Sequence, residues 1–194
     1  MKKILCGVCS LLIFGCATTK VSRIAVDETV DLSGYWNDTD SRLVAEAMVS
    51  DCLSRPWLSD FINEHGKKPR VIVGTIRNKS AEHIATETFV KDLERELLNS
   101  GKVKFVASKT QREEIREERA DQQKFEENAK EFFKEKAADF MLQGTINSIL
   151  DKLGGKTVRY YQIELELINI ETNEKVWIGQ KKIKKLVKRS KFGL

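Results

Sequence analysis

Cysteine, histidine and proline are scarce in this chain, at four, two and two of 194 residues. Only Cys52 lies beyond position 16, so a domain built from the later residues contains no intramolecular disulfide and must be held by its core. His65 and His83 show no metal-ligand spacing, and one spare thiol adds none, so neither a metal site nor a cofactor is expected. No Gly-rich phosphate loop is present, and Gly154-Gly155 reads as a hairpin turn. Nor is there an apolar run of the ~20 residues that a membrane-spanning helix needs. The longest, Ile4 to Phe14, has eleven. Internal repeats are absent.

What the N-terminus does have is a short basic start, Lys2-Lys3, before that apolar run. Together these read as a secretory signal. The run ends in Ile13-Phe14-Gly15-Cys16, which resembles the lipobox of bacterial lipoproteins. That resemblance implies a signal peptide over 1–15 and a diacylglycerol on the Cys16 thiol. It also implies an outer-membrane address facing the periplasm, since Ala17 rather than aspartate follows the cysteine. The other reading is a plain signal peptide cleaved near Ala17. Without Lys2 and Lys3 the net charge of +5 becomes +3, a mixed rather than extreme balance. From Lys175 onward there are eight Lys or Arg residues and no Asp or Glu. Such a strip suits anionic polymers, but export argues against nucleic acid.

Residues 16–37 are sparse in apolar positions and read as a lipidated start and short tether. A single globular domain is expected over 38–187, followed by a basic tail at 188–194. Asp38-Thr39-Asp40-Ser41 offers N-caps for a helix carrying Leu43, Val44, Ala47, Met48 and Cys52 on one stripe. Pro56 opens a second helix that Gly66 closes. Arg70 to Asn78 is a β-branched strand, Phe89 to Leu98 an amphipathic helix, and Val103 to Ala107 a second strand. This order predicts a crossover and a parallel pair. Ser108 and Gln111 form a capping-box signal for a helix to about Gln123, polar all round except Ile115. Ala129, Phe132, Phe133 and Ala137 predict a further helix. Alternation from Phe140 to Leu150 and from Tyr161 to Leu167, then Val176-Trp177-Ile178, predicts three more strands. The expected class is α/β, a mixed sheet of four or five strands flanked by helices.

Five stretches in order resemble the LpoB family of penicillin-binding-protein activators. They are Ser33-Gly34-Tyr35-Trp36-Asn37-Asp38-Thr39-Asp40-Ser41, Val73 to Ser80, Ser100 to Ala107, Ala138 to Leu142 and Thr172 to Trp177. The resemblance covers roughly residues 31–187. It implies a domain like the N-terminal domain of TolB and an outer-membrane lipoprotein. Such a protein binds a bifunctional class A penicillin-binding protein and activates it allosterically, doing no chemistry itself. The best-known members carry a long Pro-rich tail, whereas the tether here is about 20 residues, at most ~70 Å when extended. The alternative function is a structural, envelope-assembly or secretion-associated lipoprotein that oligomerises or tethers cell wall. A hydrolase, the third possibility, would need a preorganised polar pocket.

Three surfaces are candidates for partner contact. Arg77, Asn78, Lys79 and Ser80 form a loop after a buried strand, where binding residues commonly sit. They also read as a turn whose Asn and Ser cap the next helix. Arg112, Arg116 and Arg119 lie on the charged helix, which is either a docking face or a solvated one. Lys181 to Lys191 could meet an acidic partner, or form a frayed tail. Cys52 is expected to be a buried, inert thiol. Trp57 and Trp177 read as core. Trp36 and Tyr35 read as a staple, a partner contact or a sugar-stacking platform. Glu164 and Glu166 share a strand face, either as a carboxylate pair or as ordinary polar patterning.

Overall fold

The computed structural model describes residues 20–125 and 135–188. Helix α1 runs over Asp38–Leu53, and Asn37 rather than any of the four expected residues is its N-cap. The Asn37 side chain accepts from the Asp40 amide at 3.0 Å, and Asp40 accepts from the Asn37 amide at 3.0 Å. This reciprocal box uses an Asx pair where Ser/Thr with Glu/Gln is the common choice. Helix α2, Pro56–His65, starts on its proline and stops at Gly66, whose φ of +64° suits a residue without Cβ.

Strand β1 is Arg70–Asn78, helix α3 Thr86–Asn99, and strand β2 the two residues Lys104–Phe105. Phe89, Leu93 and Leu97 recur every four residues on α3, and all three are buried. Burying each contributes roughly 1.5–3 kcal/mol. Helix α4 is Lys109–Phe125, and the Ser108–Gln111 capping box is formed on both sides. The helix expected around Ala129 to Phe133 lies outside the described residues, and Ala137 itself is non-helical on the approach to β3.

Strands β3 (Phe140–Leu153), β4 (Lys156–Asn169) and β5 (Lys175–Lys188) complete one five-stranded sheet. Its order is β2-β1-β3-β4-β5, with β1 parallel to β2 and β3 and the last three antiparallel. The crossover pair and the mixed sheet are thus as expected. Gly154 and Gly155 both have positive φ and join β3 to β4 through a two-residue turn, with Leu153 paired to Lys156. The lysine-rich end is not a frayed tail as far as Lys188. It is the second half of β5, paired along its length to β4.

The core lies between one sheet face and α1, α2 and α3. Tyr161, Ile163, Leu165 and Leu167 supply it from β4 by strict alternation. In β1 the register shifts between Val73 and Ile76, so that Val71 and Val73 on one parity and Ile76 on the other all reach the core. Trp177 donates from Nε1 to Asp51 at 2.8 Å and ties β5 to α1, while Trp57 donates to the Cys52 carbonyl at 2.7 Å. Both indoles are buried.

Candidate interaction surface

At the end of the sheet where β1 stops, polar side chains from four segments meet below the surface. Glu82, in the loop between β1 and α3, is the acceptor for three donors. Arg159 Nη1 forms an ion pair with it, the Tyr161 hydroxyl donates at 2.7 Å, and the Trp36 amide donates at 3.4 Å. The glutamate and arginine side chains are each only 10 % exposed. Burial, with the Glu82 carboxylate beside it, pushes the Tyr161 hydroxyl above its ordinary range. The Arg159 guanidinium also lies over the Tyr35 ring, 3.6 Å from its centroid. Trp36 packs edge-on between Phe89 and Tyr161, and its indole donates to Ser41 at 2.8 Å. Tyr35 and Trp36 therefore staple the N-terminal segment to the body.

A second ionic group holds the same segment. Lys185 of β5 donates to Asp31 and Asp40, both at 2.6 Å, and to the Tyr35 carbonyl at 3.3 Å. Asp40 is the capping-box carboxylate of α1, so one lysine links the sheet edge, a helix start and the incoming chain. Lys185 chiefly, with Asn37, holds the Asp31 carboxyl below the usual carboxylate range. Residues 31–37, expected to belong to the tether, lie against the domain.

These buried groups prepare the loop above them. The Asn78 side chain accepts from the Ser80 amide at 2.9 Å and hydroxyl at 2.6 Å, and donates to the Glu82 carbonyl at 2.7 Å. Lys79 donates its amide to the Ile146 carbonyl at 2.8 Å, and Ala81 its amide to the Ser148 hydroxyl at 3.3 Å. Asn78 and Ser80 thus close their own Asx turn and do not cap α3, whose N-cap Ala85 has no side-chain bond. The loop is fastened at the back by Glu82 and at the side by β3, leaving Arg77 and Lys79 exposed in front.

The other expected contacts lie on separate elements. Arg116 forms a two-pronged pair with Glu135, at 2.9 and 2.7 Å, and Arg119 reaches the same carboxylate at 3.2 Å. Arg112 is half-buried, and Ile115 is exposed. On the open sheet face Glu164 accepts from Gln162 at 2.6 Å and Gln180 at 3.3 Å, while Glu166 pairs with Lys175 at 2.8 Å. The two glutamates therefore serve different cross-strand partners and form no carboxylate couple. His65 stacks on Phe61 at 4.2 Å. Cys52 is buried, and burial first, then the neighbouring Asp51 charge, pushes its thiol up to about 12. Among the described residues no His/Cys/Asp/Glu group could hold a metal ion, and no helix is long and apolar enough to cross a membrane. Nothing local in the sequence marks Glu82 and Arg159, or Asp40 and Lys185, as partners. Spacings of 77 and 145 positions leave no local signal.

A family model described as peptidoglycan-synthase activator LpoB matches residues 40–183. No curated protein matches the chain. Among solved structures, the LpoB C-terminal domain from Salmonella enterica aligns at 13% identity and a TM-score of 0.43, over 74% of this chain and 98% of that one. The NMR structure of Escherichia coli LpoB aligns at 15% identity and 0.44, over 94% and 84%. Lipoprotein GNA1162 from Neisseria meningitidis aligns at 13% and 0.38, over 64% and 87%.

Proposed function

The chain belongs to the peptidoglycan-synthase activator LpoB family, and from that premise we propose that it binds a bifunctional class A penicillin-binding protein and raises its activity by contact alone. The observation that carries this reading is the family match over residues 40–183, which runs from the first turn of α1 into β5. The general role, regulation of peptidoglycan synthesis rather than catalysis, comes with family membership. The anchor in this reading is a diacylglycerol on Cys16 in the outer membrane, with the domain facing the periplasm.

The contact we favour on this domain is Arg77 to Ser80, which is not a loop throughout, since Arg77 and Asn78 are the last residues of β1, paired with β3, and only Lys79 and Ser80 lie beyond it. Its backbone is fixed before any partner arrives, so little ordering entropy is lost on binding. Arg77 and Lys79 present two cations from a rigid strand end, which suits an acidic patch on the synthase. Arg112, Arg116 and Arg119 are the second choice, because Glu135 already engages two of them. Activation then follows from preference: the domain shifts the synthase only as far as it binds the active state more tightly.

The test is reconstitution. The purified chain is titrated into each class A synthase of its host, and glycan polymerisation is followed together with complex formation. Saturable binding with faster polymerisation supports the proposal, and Lys79→Glu should slow association with little change in fold. If every such synthase stays unbound and unstimulated at micromolar protein, the reading fails. Recovery of homo-oligomers or sacculus-bound protein in the same experiments would favour the assembly alternative.

A further inference from the structure

Strands β3, β4 and β5 are each 14 residues long, but the core uses only part of them. Burial along β3 ends near Ser148, and everything from Ile149 to the turn is exposed. The distal part is therefore an arm that is bare on its outer face and along β3, while residues 32–35 lie against β4 and β5 on the inner face. Its composition is one-sided: residues 149–160 and 183–188 contain six Lys or Arg and a single acid, Asp151. Two of those cations, Arg159 and Lys185, are committed to Glu82, Asp31 and Asp40. The remaining four, Lys152, Lys156, Lys184 and Lys188, are exposed.

The register places apolar side chains among three of these lysines, Lys156, Lys184 and Lys188, with Asp151 on the same face and Lys152 on the other. On the face away from the core, Ile149 is opposite Tyr160 and then Lys184, while Val158 is opposite Leu186. Leu153 pairs with Lys156 and then Lys188 at the apex. Leu153 is 85% exposed, Ile149 66% and Leu186 56%. A solvated strand end has no need for three bare aliphatic residues set among three lysines, with Asp151 the one acid on that face. That combination suits the boundary between lipid headgroups and acyl chains, where apolar side chains enter and lysines meet phosphate.

The path of the N-terminal chain points the same way. Leu32, Ser33 and Tyr35 line a groove of about 580 Å³ together with Lys152, Gly154, Lys156 and Lys188. The chain thus joins the body beside the arm. Asp27, whose carbonyl accepts from Arg42 at 3.5 Å, lies eleven positions after Cys16, a stretch that fully extended spans at most ~40 Å. Anything that holds position 16 at a membrane keeps the arm within reach of it.

We propose that the β3–β4 turn and the end of β5 form a second, reversible membrane contact that docks on anionic phospholipid and orients the domain. Where Cys16 is lipidated, the proposal rests on that anchor for proximity, though the arm's own affinity does not depend on it. Docking would turn the arm toward the lipid surface.

The experiment uses the full chain reconstituted into vesicles of phosphatidylcholine, with or without phosphatidylglycerol, some lipids being brominated on their acyl chains. An extra tryptophan at the apex, Leu153→Trp, reports depth by quenching relative to the parent chain, and one at Lys67→Trp in the loop after α2 is the control. Expected is quenching of the apical tryptophan in the phosphatidylglycerol vesicles alone, reduced by salt, with the control silent. Replacing Lys152, Lys156, Lys184 and Lys188 by glutamate should weaken the response at least about tenfold, with circular dichroism unchanged. If the charge-reversed chain misfolds, the same lysines changed to glutamine serve instead. Equal quenching in both vesicle types, none in either, or a signal rising only with protein density would overturn the proposal, the last pointing to a second copy as occupant. Because no synthase is present, failure here leaves the activation reading standing, and failure of activation leaves this one.

Discussion

Glu82 and Arg159, 77 positions apart in the chain, form an ion pair whose two side chains are each only 10 % exposed. Tyr161 and the Trp36 amide complete the shell of the carboxylate. The pair fastens the loop carrying Arg77 and Lys79 to β4 and to the N-terminal segment, so fold and candidate surface share one anchor. Glu82→Gln removes the charge and leaves Arg159 buried and unpaired. Breaking one partner of such a pair costs about 3–5 kcal/mol, and urea unfolding should show a midpoint shift of that size. Glu82→Gln combined with Arg159→Met should recover much of it.

Lys185 is the only cation bonded to both Asp31 and Asp40 among the described residues. Lys185→Ala should therefore loosen residues 31–37 while the sheet persists. Limited proteolysis should show new cleavage between Asp31 and Asn37, and thermal unfolding a lower midpoint.

The same contact sets an acid limit. Lys185 lowers the Asp31 carboxyl, and Arg55 with Trp177 lowers that of Asp51. A carboxylate whose folded pKa is depressed adds stability above its unfolded value near 4 and loses it as pH falls through the folded value. Stability should decline below about pH 4, and less steeply in Lys185→Ala, where the larger part of the Asp31 share is lost. Urea titrations at a series of acid pH values measure this slope.

At the alkaline end Cys52 and Tyr161 act together. Both are raised, the thiol from 9.0 to about 12, so above pH 9 the unfolded chain loses protons that the folded chain keeps. Stability must then fall as pH rises, by up to about 4 kcal/mol from the thiol at pH 12. Cys52→Ala should flatten that decline at the expense of a small cavity. In the native chain Cys52 should resist iodoacetamide until urea exposes it.

Gly144 faces Ile76 across the β1–β3 pair, and a Cβ there would stand 2.1 Å from the Glu164 carbonyl oxygen and 2.6 Å from Leu165. Backbone cannot give way as a side-chain tip can. Gly144→Ala should cost roughly 1–3 kcal/mol or more, read as a lowered midpoint of thermal unfolding. Gly101→Ala, with open space around it, should show only the smaller strain of its φ of +65°.

The expected elements that came true are those with local causes. Proline and glycine bound α2, the Ser108–Gln111 pair opens α4, and the double glycine turns β3 into β4. Strict alternation marked the buried face of β4, because a strand has period two whatever surrounds it. The cap of α1 lies one to four residues before the expected ones, since Asn37 competes with four capping neighbours, Asp38 to Ser41, and only packing chooses. Of the two readings of Asn78 and Ser80, partner contact or helix cap, the cap does not hold: they close their own turn, a choice made by the Glu82 carbonyl reaching the Asn78 amide.

Lys181 to Lys188 show the limit of composition. Lysine at this density favours solvent, yet Ile183 packs on the core and Lys185 finds two carboxylates, so the segment forms an edge strand. Charge on an edge also discourages pairing with another sheet, which is compatible with a strand and not evidence against one.

The sequence alone determined the element types, the apolar stripes that build the core and the reliance on packing without a disulfide, because all of these depend on residues a few positions apart. Only the tertiary structure decided the shift in β1 that brings Ile76 inward, the meeting of Glu82 with Arg159 and of Lys185 with Asp31 and Asp40, and the bare arm at the far end of β3 and β4. Each of these depends on which distant segment arrives alongside, and that is set by the sum of weak burial terms over the whole core rather than by any local pattern.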